Sequence, residues 1–112
     1  MRNRLGPIIE KHSGKKLGVG FHIGSNPEFL REGRAIKDFF KTGRVVIGTD
    51  NKEAGQAIEA LYKDVEGKRV HVVVETAEFA KYVDNTWHAV KVAFANEIGR
   101  VCQGFGGNPE ET

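Results

Sequence analysis

From Thr76 to about Gly104 the chain keeps a helical rhythm, and this segment constrains the fold more than any other. At about 100° per residue, Phe79, Val83, Trp87, Val90, Phe94, Ile98 and Val101 share one face. Across from them Lys81, Asn85, His88, Val92 and Asn96 fall within about 80° of arc by the same count. Thr76 stands where an N-cap is expected, with Glu78 close behind. Glu97 departs from the pattern: it projects toward the apolar side, where it needs a buried partner or a nearby helix end.

Periodicity alone describes the polar row as the wet face of a surface helix. Its composition points elsewhere. Asn and His are poor helix formers, and a merely solvated face favours Glu, Lys and Arg. One Lys, two Asn and a His in register suit a row of donors aimed at sugar hydroxyls or phosphate oxygens.

Ahead of this helix the pattern alternates. Leu5, Ile8 and Ile9 read as the end of a short amphipathic helix closed by Ser13-Gly14. Leu17 to Ser25 reads as a strand broken by glycines, with Val19, Phe21 and Ile23 alternating. Pro27 and the acids after it indicate a loop entering a helical turn near Glu28 to Glu32. Arg44 to Thr49 is a short β-branched run, hence a strand. Asp50-Asn51 caps a helix carrying Ala54, Ala57, Ile58, Leu61 and Val65, which Gly67 ends. Lys68 to Glu75 forms another strand. This order predicts an α/β layer with parallel strands. Three strands leave exposed edges, which fits a piece of a larger sheet.

Composition excludes several classes. The chain has 112 residues, enough for one modest domain. Formal net charge is +2, so charge argues for neither a nucleic-acid nor a membrane partner. No run of about 18 apolar residues is present, and Met1 to Glu10 lacks the apolar stretch of a secretory signal. The single cysteine, Cys102, cannot make an internal disulfide or a multi-cysteine zinc site. It fits a reducing compartment such as the cytoplasm. Lying near the apolar seam with no His beside it, it reads as a packing residue.

Two further motifs carry chemistry or resemble ones that do. Asn26 to Glu32 places Glu28 and Glu32 one helical turn apart. Either they are acids at a capped helix start, or one moves protons while the other grips hydroxyls. Gly104 to Gly107 follows a helix rather than joining a strand to one, so it reads as a helix stop and not a phosphate loop. Asn108-Pro109 is positioned to begin another helix.

NPEFLREGRAIKDF followed by TAEFAKYVDNTWHAVKVAFANEIG resembles the UDP-glucose/GDP-mannose dehydrogenase family, over about Leu5 to Thr112. NTWHAVKVAFANEIG is more similar to the GDP-mannose branch than to the UDP-glucose branch. The resemblance implies the C-terminal part of a Rossmann-like parallel sheet with flanking helices, running into a long helix. Residues 1–75 would end an NAD-binding domain, and 76–112 would open a central dimerisation domain. The apolar seam would then pack on a partner helix in a homodimer or higher homo-oligomer.

The resemblance also implies an activity. Such enzymes oxidise the C6 alcohol of a nucleotide sugar to a carboxylate in two hydride transfers to NAD, with the aldehyde stage held on a cysteine. By motif, Glu28 matches the acid of thioester hydrolysis, and Glu32 an acid of the substrate site. Lys81 matches the lysine that stabilises oxyanion charge, and Asn85 the asparagine that holds the reacting oxygen or water. His88 and Asn96 match nucleotide-sugar contacts. No residue is assigned to NAD. The glycine-rich NAD loop and the cysteine segment of the family have no match here, so this chain alone is expected not to turn over. The alternatives are a non-catalytic dimerisation or binding module of the same fold, or the UDP-glucose 6-dehydrogenase branch of the family.

Overall fold

The computed structural model describes residues 1–111; Thr112, the last residue of the second expected domain, lies outside the described residues. Contacts divide the chain into two compact units, Met1–Lys81 and Tyr82–Thr112.

The first unit is built on a three-stranded sheet in the order β1-β2-β3, where β1 is Gly24–Ser25, β2 is Lys41–Thr49 and β3 is Glu66–Val72. Helix α1, Arg2–Ser13, precedes it; α2, Ala35–Phe40, runs directly into β2. Helix α3, Lys52–Leu61, joins β2 to β3, and α4, Val74–Gly104, follows β3. Strands β2 and β3 are parallel, with Val45 opposite Arg69 and Ile47 opposite His71. This is the crossover that a strand, helix, strand pattern predicts.

The core explains β2. Val45, Val46, Ile47 and Gly48 are buried in succession, as befits a strand covered on both faces. Val45 and Ile47 cluster with Val65, and Ile58 and Tyr62 of the α3 segment pack against them. On the alternate face Gly48 meets the buried Ala77 of α4. Asn51 caps α3, its Oδ1 accepting the Ala54 N–H at 2.7 Å.

Several sequence expectations need correction. The strand expected over Leu17–Ser25 shrinks to Gly24–Ser25, and it pairs antiparallel with β2, so the sheet is mixed rather than wholly parallel. The glycines are the cause. Gly18 adopts φ 86°, and Gly20 N–H bonds the Lys16 carbonyl at 2.8 Å, turning the chain and leaving Val19 88% exposed. Helix α3 stops at Leu61 and does not reach Val65. The Arg69 guanidinium of β3 donates to the carbonyls of Tyr62 and Val65, satisfying acceptors that a helix end leaves open. Helix α4 begins at Val74, ahead of Thr76. No helical turn forms at Glu28–Glu32; the short helix is α2, further on.

In the second unit α4 ends at Gly104, and the chain turns through Gly106 at φ 79°, with Gly107 N–H bonding the Cys102 carbonyl at 2.9 Å. A single 3-10 turn follows at Pro109–Glu111, with the Asn108 Oδ1 accepting the Glu110 N–H. Glu97 is exposed and bonded to Arg100 at 2.7 Å. It therefore needs no buried partner. Val83, Trp87, Val90, Phe94, Ile98 and Val101, the seam residues of this unit, are all exposed.

Candidate functional site

The loop from Asn26 to Arg31 lies between β1 and α2, and side chains hold it in place. Asn26 Nδ2 donates to the Val46 carbonyl of β2 at 2.7 Å, while its Oδ1 accepts the Tyr62 hydroxyl. The Arg44 guanidinium sits 4.2 Å from the Phe29 ring centroid, a cation–π contact. Arg31 grips Asp38 of α2 through Nε and one terminal nitrogen, both at 2.8 Å.

Glu28 projects from the middle of this loop. Its Oε2 accepts the Leu30 N–H at 2.7 Å, and its Oε1 lies 2.5 Å from Lys81 Nζ on α4. The hydrogen bond from Lys81, supported by the Leu30 amide, lowers the Glu28 pKa from its ordinary value. Glu28 is therefore a carboxylate at neutral pH. Lys81 is 28% exposed, placing its ammonium at the rim of the unit with room to donate to a further acceptor.

The first unit thus brings Glu28 and Lys81 together. Glu32 does not join them through any hydrogen bond or ion pair seen among the described residues; it lies in the exposed turn that leads into α2. Asn85, His88 and Asn96 belong to the second unit, where each is exposed. His88 Nδ1 is 2.8 Å from the Asp84 carbonyl. A carbonyl only accepts, so Nδ1 carries the proton, and in the neutral ring Nε2 is an acceptor. Asn96 lines a shallow recess with Arg100, Gln103 and Pro109.

Sequence reasoning missed the framework around Glu28. Asn26, Tyr62, Arg31 and Asp38 all act on this loop. Asp38 follows Arg31 by seven residues, but a turn lies between them and only Asp38 is on α2, so no single period pairs the two.

Known proteins share this sequence and this fold. The family model described as UDP-glucose/GDP-mannose dehydrogenase family, NAD binding domain, matches residues 1–66. The central-domain model of the same family matches residues 75–112. The GDP-mannose 6-dehydrogenase of Pseudomonas aeruginosa is 46% identical over 95% of this chain, which spans 24% of that enzyme. The UDP-glucose 6-dehydrogenase of Rickettsia conorii is 42% identical over 84% of this chain, which spans 22% of it. Among solved structures, a ternary complex of GDP-mannose dehydrogenase from Pseudomonas aeruginosa superposes with a TM-score of 0.92 at 45% identity, over 98% of this chain and 26% of the other.

Proposed function

This chain belongs to the UDP-glucose/GDP-mannose dehydrogenase family, and from that premise we propose that it serves the NAD-dependent oxidation of the C6 alcohol of GDP-mannose to the carboxylate. The observation that carries this reading is the Lys81–Glu28 pair at 2.5 Å. Alcohol oxidation and thioester hydrolysis both build negative charge on oxygen while releasing a proton. A fixed cation beside a fixed carboxylate answers both demands.

In this reading Lys81 keeps one N–H on Glu28 and turns another toward the reacting oxygen, where it stabilises the developing oxyanion. Glu28, ionised at neutral pH, accepts the proton of the water that attacks the thioester. Asn85 holds that oxygen or water, while Glu32, His88 and Asn96 contact the sugar nucleotide. NAD would supply the hydride acceptor in such an oxidation. Its pyrophosphate does not fit the described residues. The β2–α3 junction carries Asp50, held by Arg2, and the Asn51 cap, while the β3–α4 junction is a run of valines. Neither offers a glycine-rich cradle.

Residues 1–75 then close an NAD-binding domain and 76–112 open a central domain whose exposed apolar face pairs with a second copy. No helix among the described residues is long and apolar enough to cross a membrane, and the cytoplasm is the compartment proposed.

The test is a chimera in which this chain replaces the matching segment of the Pseudomonas aeruginosa GDP-mannose 6-dehydrogenase. GDP-mannose-dependent NADH formation is the expected result. A folded chimera that forms no NADH with GDP-mannose would count against the reading. NADH formation with UDP-glucose instead would transfer it to the other branch. Dimers of this chain without activity in the chimera would favour the non-catalytic module.

A further inference from the structure

The two ends of the Glu28 loop are tied to each other through α2. At its start, Asn26 receives the Tyr62 hydroxyl. The Tyr62 ring packs on Phe39 of α2 at 5.9 Å between centroids, and Phe39 stands edge-on to Phe40 at 5.2 Å. Asp38, adjacent to Phe39, takes the Arg31 fork at the other end of the loop, and also accepts the Arg31 N–H at 3.2 Å. A closed ring of contacts therefore runs from Asn26 through Tyr62, Phe39 and Asp38 to Arg31. Glu28 sits within its span.

The hydrogen bonds that hold this loop are made largely by side chains, so its shape depends on them. The Arg31–Asp38 fork is the strongest of these contacts in kind: two parallel charge-assisted bonds fix both distance and angle. Asp38 is only 12% exposed, so water competes weakly for it. Losing the fork frees the loop at a point three residues from Glu28, and Glu28 must meet Lys81 within hydrogen-bonding distance.

We propose that Arg31 and Asp38 are a positioning pair, which fixes the end of the loop so that the Glu28 carboxylate stays against Lys81. This rests on the role given to Glu28 under the proposed function, but its test does not use turnover, so the two can fail separately.

The experiment is carbon-13 NMR titration of the Glu28 carboxyl in this chain and in three variants. Arg31→Lys keeps the charge but loses the fork. Asp38→Asn removes the negative charge. Both should raise the Glu28 titration midpoint, by about half a pH unit or more, as Lys81 is lost. Simple through-space charge predicts otherwise: no change for Arg31→Lys and a fall for Asp38→Asn. The double reversal Arg31→Asp with Asp38→Arg rebuilds the pair and should restore the original midpoint. Amide spectra of β2 and β3 report whether the sheet persists; where one single variant loses it, the other single variant and the reversal decide. A Glu28 midpoint unchanged in Arg31→Lys and unchanged or lowered in Asp38→Asn would overturn the proposal.

Discussion

A Cβ added at Gly48 would collide with the Cβ of Ala77, so the first turns of α4 lie on β2 only because residue 48 has no side chain. Ala77 is fully buried there. Lys81 follows one helical turn later, on the same side of α4, and this register delivers its ammonium to Glu28. Gly48→Ala should therefore destabilise the chain by about 1–3 kcal/mol through overpacking. It should also separate Lys81 from Glu28. Urea denaturation measures the first effect and the Glu28 titration the second. An unchanged denaturation midpoint would show that α4 can slide without cost.

Lys81→Ala removes the main cause of the lowered Glu28 pKa, so the carboxyl midpoint should rise toward its ordinary value. In the chimera the same substitution should lower kcat by about 10²–10³-fold, the scale of losing one preorganised oxyanion donor, with a smaller change in KM. His88→Ala should raise KM more than it lowers kcat. Steady-state kinetics on both variants separates the roles, and the reverse pattern would exchange them.

Acid should weaken the first unit in a defined window. The fork to Arg31 draws the Asp38 pKa from 3.8 down to about 2. A depressed carboxyl pKa adds stability that is fully present above the unfolded value and is lost as pH falls through the folded one. Glu28, lowered from 4.5, acts in the same direction with a smaller share, because it is half exposed and screened. The stability gap between the native chain and Asp38→Asn should therefore be widest at neutral pH. It should narrow between about pH 4 and pH 2. Urea denaturation across that range checks it; a gap independent of pH would mean that the fork contributes nothing.

Much of this was legible in the sequence, and for a physical reason. A helical period or a short β-branched run is written into the chain itself, so β2, α3, β3 and α4 could be read from Arg44 to Gly104. Helix α4 also put Lys81 on a polar row before any partner was in view. What stayed hidden depends on contacts with no period. Val19 alternates with Phe21 like a strand residue, yet a glycine turn holds it in solvent. Helix α3 ends early, and Arg69 on the next strand takes the carbonyls of its cap residue Tyr62 and of Val65 in the turn beyond. Asp38 looks like an ordinary surface acid until the fold returns it to Arg31.

The seam of α4 supplies the last prediction. Trp87 is 59% exposed and Phe94 66% exposed, with Val83, Val90, Ile98 and Val101 exposed around them in the second unit. A contiguous apolar surface of this kind marks an interaction site, and a second copy of the helix offers the matching seam. Trp87→Glu and Phe94→Glu should each weaken self-association at least about tenfold, since a central aromatic anchor contributes more than 1.4 kcal/mol. Sedimentation equilibrium measures that directly. Trp87 is the only tryptophan, so its emission offers a second readout, shifting to shorter wavelength as the native chain is concentrated. Emission independent of concentration, together with a monomeric sedimentation profile, would overturn the pairing of the seam with its own copy.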